Sequence, residues 1–306
     1  EKFTASEGPL SEILDYALSS RGKGIRPLLV MLAAELNAPE GRHGAGMRAS
    51  LAAMLVEMVH MASLIHDDVI DESDMRRGKP SVNARWQSRN AVILGDYILA
   101  RNLIVGLSSG QFDLVTLVCG AIGTLCEGEI LQDEGVRQQR TDRTAYFNVI
   151  RKKTASLLGI SAAAGAMAVG APRERIERMR RFGEALGMAF QIQDDILDYT
   201  RTAQTGKPAN NDLRERKITL PLLVVLENLD EQRQRDLLDR LERCHEDPAA
   251  VEYLHRIVEN EGGPEKAARI MQEFLTRATA ELAEYGDSPY RNALIDLCLY
   301  VGERDR

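Results

Sequence analysis

The stretch Asp67-Asp68-Val69-Ile70-Asp71-Glu72, preceded by Ser63-Leu64-Ile65-His66, decides how this chain is read, because it recurs. The second copy is Asp194-Asp195-Ile196-Leu197-Asp198-Tyr199, preceded by Gln191-Ile192-Gln193. Both read Ile-x-Asp-Asp-aliphatic-aliphatic-Asp, and both are followed by Gly-Lys-Pro, at Gly78-Lys79-Pro80 and Gly206-Lys207-Pro208. On a helix, the first and third aspartates of a hexad share a face about 6 Å apart along the axis. Like charges at that spacing cost about a few tenths of a kcal/mol. Near a helix C-terminus, where Gly78 and Pro80 place the first hexad, they also oppose the helix dipole. The apolar residues upstream add a desolvation cost. A single Asp-x-x-x-Asp is well explained as a solvated acidic face; two copies in one apolar context call for a cation. All-oxygen ligation selects Mg²⁺, which keeps waters and joins one or two carboxylates to a substrate phosphate.

The rest of the chain places these hexads on helices. Strand signals are nearly absent, and apolar spacings of three and four dominate. Leu10, Ile13, Leu14, Ala17 and Leu18 make a first helical stripe, and Pro27 suits the first turn of a second helix through about Asn37. Helices are expected over residues 46–72, 89–108, 111–134, 142–170 and 173–201, with polar loops over 38–45, 73–88 and 202–216. Shorter amphipathic helices follow, broken near Pro248, Gly262-Gly263-Pro264 and Gly286 to Pro289. The expectation is an all-α single domain over residues 1–306, about ten or more helices around a deep central cavity. The last 80 or so residues are charged and offer no recognisable chemistry.

A net charge of −7 argues against nucleic acid as partner. No uninterrupted run of 18 apolar residues signals a membrane span, and the start, Glu1-Lys2-Phe3, shows no signal peptide. The four cysteines lack Cys-x-x-Cys spacing, and Cys119 and Cys126, seven apart, read as helical core thiols. A reducing, cytoplasmic setting is expected. Lys23 and Arg26 sit beside glycines at a helix start, which is either solvated surface charge or a phosphate site. His60 precedes Asp67 by seven residues and so shares its helical face.

Further motifs stand in order around the hexads: Gly22-Lys23-Gly24-Ile25-Arg26-Pro27, Arg76-Arg77, Lys153-Thr154, and Asp212-Leu213-Arg214-Glu215-Arg216-Lys217-Ile218-Thr219-Leu220-Pro221. With the doubled hexad, over about residues 20–225, they make the chain resemble the trans-isoprenyl diphosphate synthases, or polyprenyl synthetases. The resemblance implies the isoprenoid synthase fold and a homodimer. It implies a prenyltransferase that condenses isopentenyl diphosphate head-to-tail onto an allylic diphosphate such as farnesyl or geranyl diphosphate. It implies that Asp67, Asp68, Asp71, Asp194, Asp195 and Asp198 hold Mg²⁺, three ions per active site. Lys23, Arg26, His60 and Arg77 would bind isopentenyl diphosphate; Arg76, Lys153, Thr154, Gln191, Lys207 and Lys217 would surround the allylic substrate. The lysines and Arg76 would neutralise the leaving diphosphate, and Thr154 and Gln191 would present oxygen dipoles to a developing carbocation.

Two positions depart from the family pattern. Arg216 replaces a glycine before Lys217, which bears on that loop's backbone, and Gly24 replaces a common basic residue. Upstream of Asp67, Ala62 and Ser63 are small where the family's short-product enzymes carry bulky aromatics. They would leave room for a growing tail, as in medium- and long-chain synthases of about six or more isoprene units; close helix packing is the other explanation. The alternative within the family is a short-chain geranylgeranyl or farnesyl diphosphate synthase. More distant alternatives are a non-catalytic subunit of a heteromeric synthase, a class I terpene cyclase, and a di-iron carboxylate bundle built on Glu57-x-x-His60, Glu242-x-x-His245 and Glu252-x-x-His255. The di-iron reading leaves both hexads unexplained. The subunit reading conflicts with the presence of all six aspartates.

Overall fold

The computed structural model describes residues 8–19, 22–39, 45–200 and 210–304. Among them the chain is almost wholly α-helical, as the sequence pattern requires, and it divides into two compact units.

The first unit comprises Glu1–Ile122 and Ile160–Glu177. It contains α1 (Pro9–Ser19), α2 (Ile25–Asn37), α3 (Gly46–Ile70), a two-residue hairpin of β1 (Met75–Arg76) and β2 (Lys79–Pro80), and α4 (Val82–Ser108). The stripe Ala49, Ala52, Ala53, Val56, Val59 and Ala62 is buried along α3, which packs on α2 and α4. Ile13, Leu14 and Ala17 of α1 join Ala62, Ile65, Leu94 and Ile98 in one apolar cluster. Each such leucine or isoleucine contributes about 1.5–3 kcal/mol on full burial. The polar stretch read as a loop to residue 88 is shorter than expected. Ser81 accepts a hydrogen bond from Ala84 N and starts α4 at Val82, with a kink at Gln87 (φ 70°). Its polarity is that of a solvent-facing first turn.

The second unit comprises Gly123–Gly159 and Arg178–Arg306. It holds the later parts of α5 (Phe112–Arg137) and α8 (Arg173–Thr200), with α6 (Arg143–Ile150) and the start of α7 (Ser156–Ala168). Then come α9 (Asn211–Arg214), α10 (Leu220–Leu226), α11 (Glu231–Leu241), α12 (Pro248–Asn260), α13 (Gly263–Glu281) and α14 (Pro289–Glu303). All seven residues of α10 are buried, and α13 packs against it. The helix expected over 142–170 is instead interrupted by a π-helical turn, Arg151–Ala155. Two glycines seat that wide turn. A Cβ on Gly128 would stand 2.7 Å from Lys153 N, and one on Gly187 would stand 2.5 Å from Ala155 Cα.

Helices α3, α4 and α5 are long and apolar enough to cross a membrane by length and composition, although none carries an uninterrupted apolar run. All four cysteines are free thiols. Cys244 and Cys298 are buried, but Cys126 is exposed, so α5 turns it outward instead of into a core.

Candidate active site

In the first unit, the hexad forms the last turn of α3, with Asp71 at the C-cap donating its N–H to Asp67 O (2.8 Å). Asp67 is half-buried, Asp68 buried and Asp71 exposed. Arg76 grips Asp68 Oδ1 through Nε (2.8 Å) and Nη2. The hairpin makes this possible: Arg77 (φ 52°) and Gly78 (φ 75°) turn the chain with left-handed backbone, as a two-residue hairpin turn requires. Arg77 in turn lies against Gly22, where a Cβ would meet its Nη2 at 2.5 Å. Burial, then the charges of Arg26, Arg77 and Arg76, push His60 down to about 2. His60 is therefore a neutral ring in the field of three guanidinium groups. The charge of that cluster suits an anion, and three guanidinium groups around the ring oppose a cation there. His60, Asp68, Arg76 and Arg77 line one cavity of about 50 Å³. Lys23 is exposed beside it in sequence, just before α2.

The two residues assigned to product length separate. Ala62 is fully buried in the cluster of α1, α3 and α4. Ser63 is half-buried, its hydroxyl donating to His60 O (2.9 Å).

In the second unit, a cavity of about 250 Å³ is lined by Tyr146, Lys153, Thr154, Gln191, Asp195 and Lys217, with Asp212 at its wall. Four of these form a relay. The Tyr146 hydroxyl donates to Asp195 Oδ2 (2.5 Å), Gln191 Nε2 donates to Asp195 Oδ1 (2.9 Å), and Thr154 Oγ1 donates to Gln191 Oε1 (2.7 Å). An ionised carboxylate only accepts. Asp195 therefore turns the Gln191 NH₂ toward itself, and that leaves Thr154 to donate. Oxygen lone pairs of Thr154 and Gln191 then remain available to an electron-poor centre. Burial raises Asp195 to about 7 against the hydrogen bonds that lower it. Burial and the neighbouring carboxylates Asp195 and Asp198 raise Asp212 well above the usual range. Lys153 pairs with Glu129 (2.8 Å), and Lys217 with Glu215.

Asp198 accepts backbone N–H bonds from Asn211 (3.1 Å) and Asp212 (2.9 Å), tying the second hexad to the loop that carries Lys217. Asp194 pairs with Arg304 (2.7 Å). Arg216 adopts a left-handed backbone (φ 57°), a conformation that favours glycine. A Cβ in that region carries strain of about 1–2 kcal/mol. Lys207 lies outside the described residues.

Sequence reasoning missed Tyr146, although its spacing of seven from Lys153 was a signal for a shared face. It also missed Glu129 and Arg304, for which no local pattern exists. No three His, Cys, Asp or Glu side chains converge on one point among the described residues. Mg²⁺ needs only one or two carboxylates, with water and phosphate completing its shell. Asp67 and Asp71, hard oxygen donors one turn apart on α3, fit that requirement.

An all-helical chain with two such hexads, one beside a cationic cluster and one beside a polar relay, has the isoprenoid synthase fold. A sequence profile of the polyprenyl synthetase family matches residues 7–258, and the chain belongs to that family. It is 36% identical over 307 aligned residues to heptaprenyl diphosphate synthase component 2 of Geobacillus stearothermophilus, covering 100% of this chain and 93% of that one. It is 37% identical to the all-trans-nonaprenyl-diphosphate synthase (geranyl-diphosphate specific) of Rhodobacter capsulatus, covering 97% of this chain and 90% of the relative. The crystal structure of a polyprenyl synthase from Caulobacter crescentus, complexed with calcium and isoprenyl diphosphate, superposes with a TM-score of 0.90. It shares 28% identity and covers 99% of this chain and 92% of that one.

Proposed function

We propose that this chain is a trans-polyprenyl diphosphate synthase of the medium- to long-chain class, one synthase domain over residues 1–306. The observation that carries the reading is the Thr154–Gln191–Asp195–Tyr146 relay, whose polarity suits a carbocation next to a departing anion. Names of similar proteins, from heptaprenyl to nonaprenyl synthases, support the product class.

Lys23, Arg26, His60 and Arg77 bind the diphosphate of isopentenyl diphosphate. Lys153, Lys207, Lys217 and Arg76 hold the allylic diphosphate and its charge as the allylic C–O bond breaks. Thr154 and Gln191 face the cation left behind. The isopentenyl double bond attacks that cation, forming the new C–C bond, and the proton lost goes to released diphosphate. Each turn adds one isoprene unit with a trans double bond. Exclusion of water by the apolar walls keeps the cation from hydrolysis. The six hexad aspartates would hold Mg²⁺, three ions in this reading, which would supply Lewis-acid stabilisation of the departing diphosphate.

The enzyme works in the cytoplasm as a homodimer. The exposed apolar residues Ile93, Ile104 and Leu107, on one face of α4, support the dimer, and four free thiols support the compartment. One relative is named component 2 of a heptaprenyl synthase, so the second reading is a chain that needs another subunit.

The test is a product assay with farnesyl diphosphate, isopentenyl diphosphate and Mg²⁺, read by mass spectrometry. A ladder ending at about six or more isoprene units is expected. Termination at four units would move the product class to short-chain. No product from folded protein with several primers would favour the subunit reading.

A further inference from the structure

From the final helices Arg304, the C-cap of α14, reaches a hexad aspartate. It lies beyond residue 258, where the family profile ends. Its side chain is only 5% exposed, whereas the Asp194 side chain it pairs with is 39% exposed. Nη2 donates to both Asp194 Oδ1 (2.7 Å) and Phe190 O (2.8 Å). The guanidinium stacks over the Phe190 ring at 3.8 Å, and Gln193 Nε2 donates to Arg304 O (2.7 Å). Three successive attachments, at residues 190, 193 and 194, thus lock one turn of α8 to the end of α14. Burying a guanidinium costs several kcal/mol unless it is paired and hydrogen-bonded, and ordinary helix packing does not demand such a group. The asymmetry of exposure is informative as well. The arginine is sealed in protein, and it fixes Oδ1 of a carboxylate whose remaining surface faces outward.

We propose that Arg304 is a positioning residue for Asp194: it sets the carboxylate rotamer so that Asp194 meets the metal–diphosphate complex already oriented. The inference rests on the synthase reading for its kinetic consequence, but its binding consequence does not depend on turnover. Residues that orient metal ligands from behind are worth about 10–100-fold in metal affinity or activity when removed.

The experiment compares the full chain with Arg304→Gln, Arg304→Lys, Asp194→Asn and the Arg304→Gln/Asp194→Asn double variant. Calorimetry measures binding of Mg²⁺ with inorganic diphosphate, steady-state assays measure kcat and KM against Mg²⁺, and thermal melting is followed without metal. Arg304→Gln is expected to weaken metal–diphosphate binding and raise the Mg²⁺ needed for half-maximal turnover, each by about tenfold. Arg304→Lys should recover part of this. In the Asp194→Asn background, Arg304→Gln should cost nothing further, since coupled residues are non-additive. Equal fold-losses in both backgrounds, or an unchanged Mg²⁺ dependence, would overturn the proposal. If Arg304→Gln does not fold, Arg304→Lys decides by the same comparison. A wild-type chain that makes no product would sink the synthase reading alone, leaving the calorimetric comparison to judge Arg304.

Discussion

Tyr146 donates its hydroxyl to Asp195 Oδ2 at 2.5 Å, at the head of a chain of hydrogen bonds that runs through Gln191 to Thr154. Asp195→Asn retains the shape and removes a buried charge. An Asn offers one acceptor oxygen where the carboxylate offers two, so either Tyr146 or Gln191 loses its acceptor. The sign of the stability effect follows from the raised pKa. Between about 4 and about 7 the folded state holds a proton that the unfolded state releases, so stability contributed by this group is lost as pH rises through about 7. Asp195→Asn is therefore expected to melt at or above the wild-type temperature at pH 8, with turnover reduced about 10²-fold. Melting curves at pH 5 and pH 8, with kcat for each, check both halves.

His60 offers a pH effect of the opposite sign. Its folded pKa is lowered to about 2, so below about 6.5 the unfolded chain binds a proton that the folded chain refuses. Stability should fall as pH drops from 7 to 4, and His60→Gln should flatten part of that slope. Melting temperatures of the wild-type chain and His60→Gln between pH 4 and pH 7 check this; parallel slopes would count against it.

Asp67→Ala and Asp194→Ala should each lower turnover by about 10²–10³-fold or more while leaving the far-UV circular dichroism unchanged. Near-normal activity with an intact Mg²⁺ dependence in either variant would remove that aspartate from the metal site.

Ser63→Phe is expected to shorten the product ladder. Ala62→Phe must instead force a ring into the packed cluster of α1, α3 and α4, at about 1–3 kcal/mol. Mass spectra of the products, together with urea midpoints, separate the two effects. A longest product identical to wild type from a well-folded Ser63→Phe would place the tail elsewhere.

Arg216→Gly relieves a left-handed residue (φ 57°) and gives up a half-exposed pair with Glu242 at 3.2 Å. A surface pair of that kind contributes little. A net gain of about 0.5–1 kcal/mol in unfolding free energy, with product length unchanged, is expected from urea titration.

Much of this was legible in the chain. The stripe from Ala49 to Ala62 declared α3, and the repeated hexad pointed toward a cation. Lys23, Arg26, His60 and Arg77 were grouped through the family resemblance; the structure sets Arg26, Arg77 and also Arg76 around the His60 ring. What stayed hidden depends on contacts between residues far apart in sequence. Tyr146 and Asp195 are 49 positions apart. The burial of Arg304 arises from three-dimensional packing onto α8, and a charged terminal segment read locally looks like solvated surface. The π turn was invisible for a related reason: its cause lies in Gly128 and Gly187, on two other helices.

That π turn makes the helical segment it interrupts intolerant of a change in length. A π turn accommodates one residue more than the α-helical hydrogen-bond pattern allows. Deleting Arg151 or Lys152 would let the segment close into a continuous α-helix. Side chains before the cut would then rotate by about 100° relative to those after it. Tyr146 would swing away from Asp195, even though every residue that touches substrate could be left in place. Sequence drift at this point should therefore proceed by substitution, with insertions and deletions confined to the loops on either side.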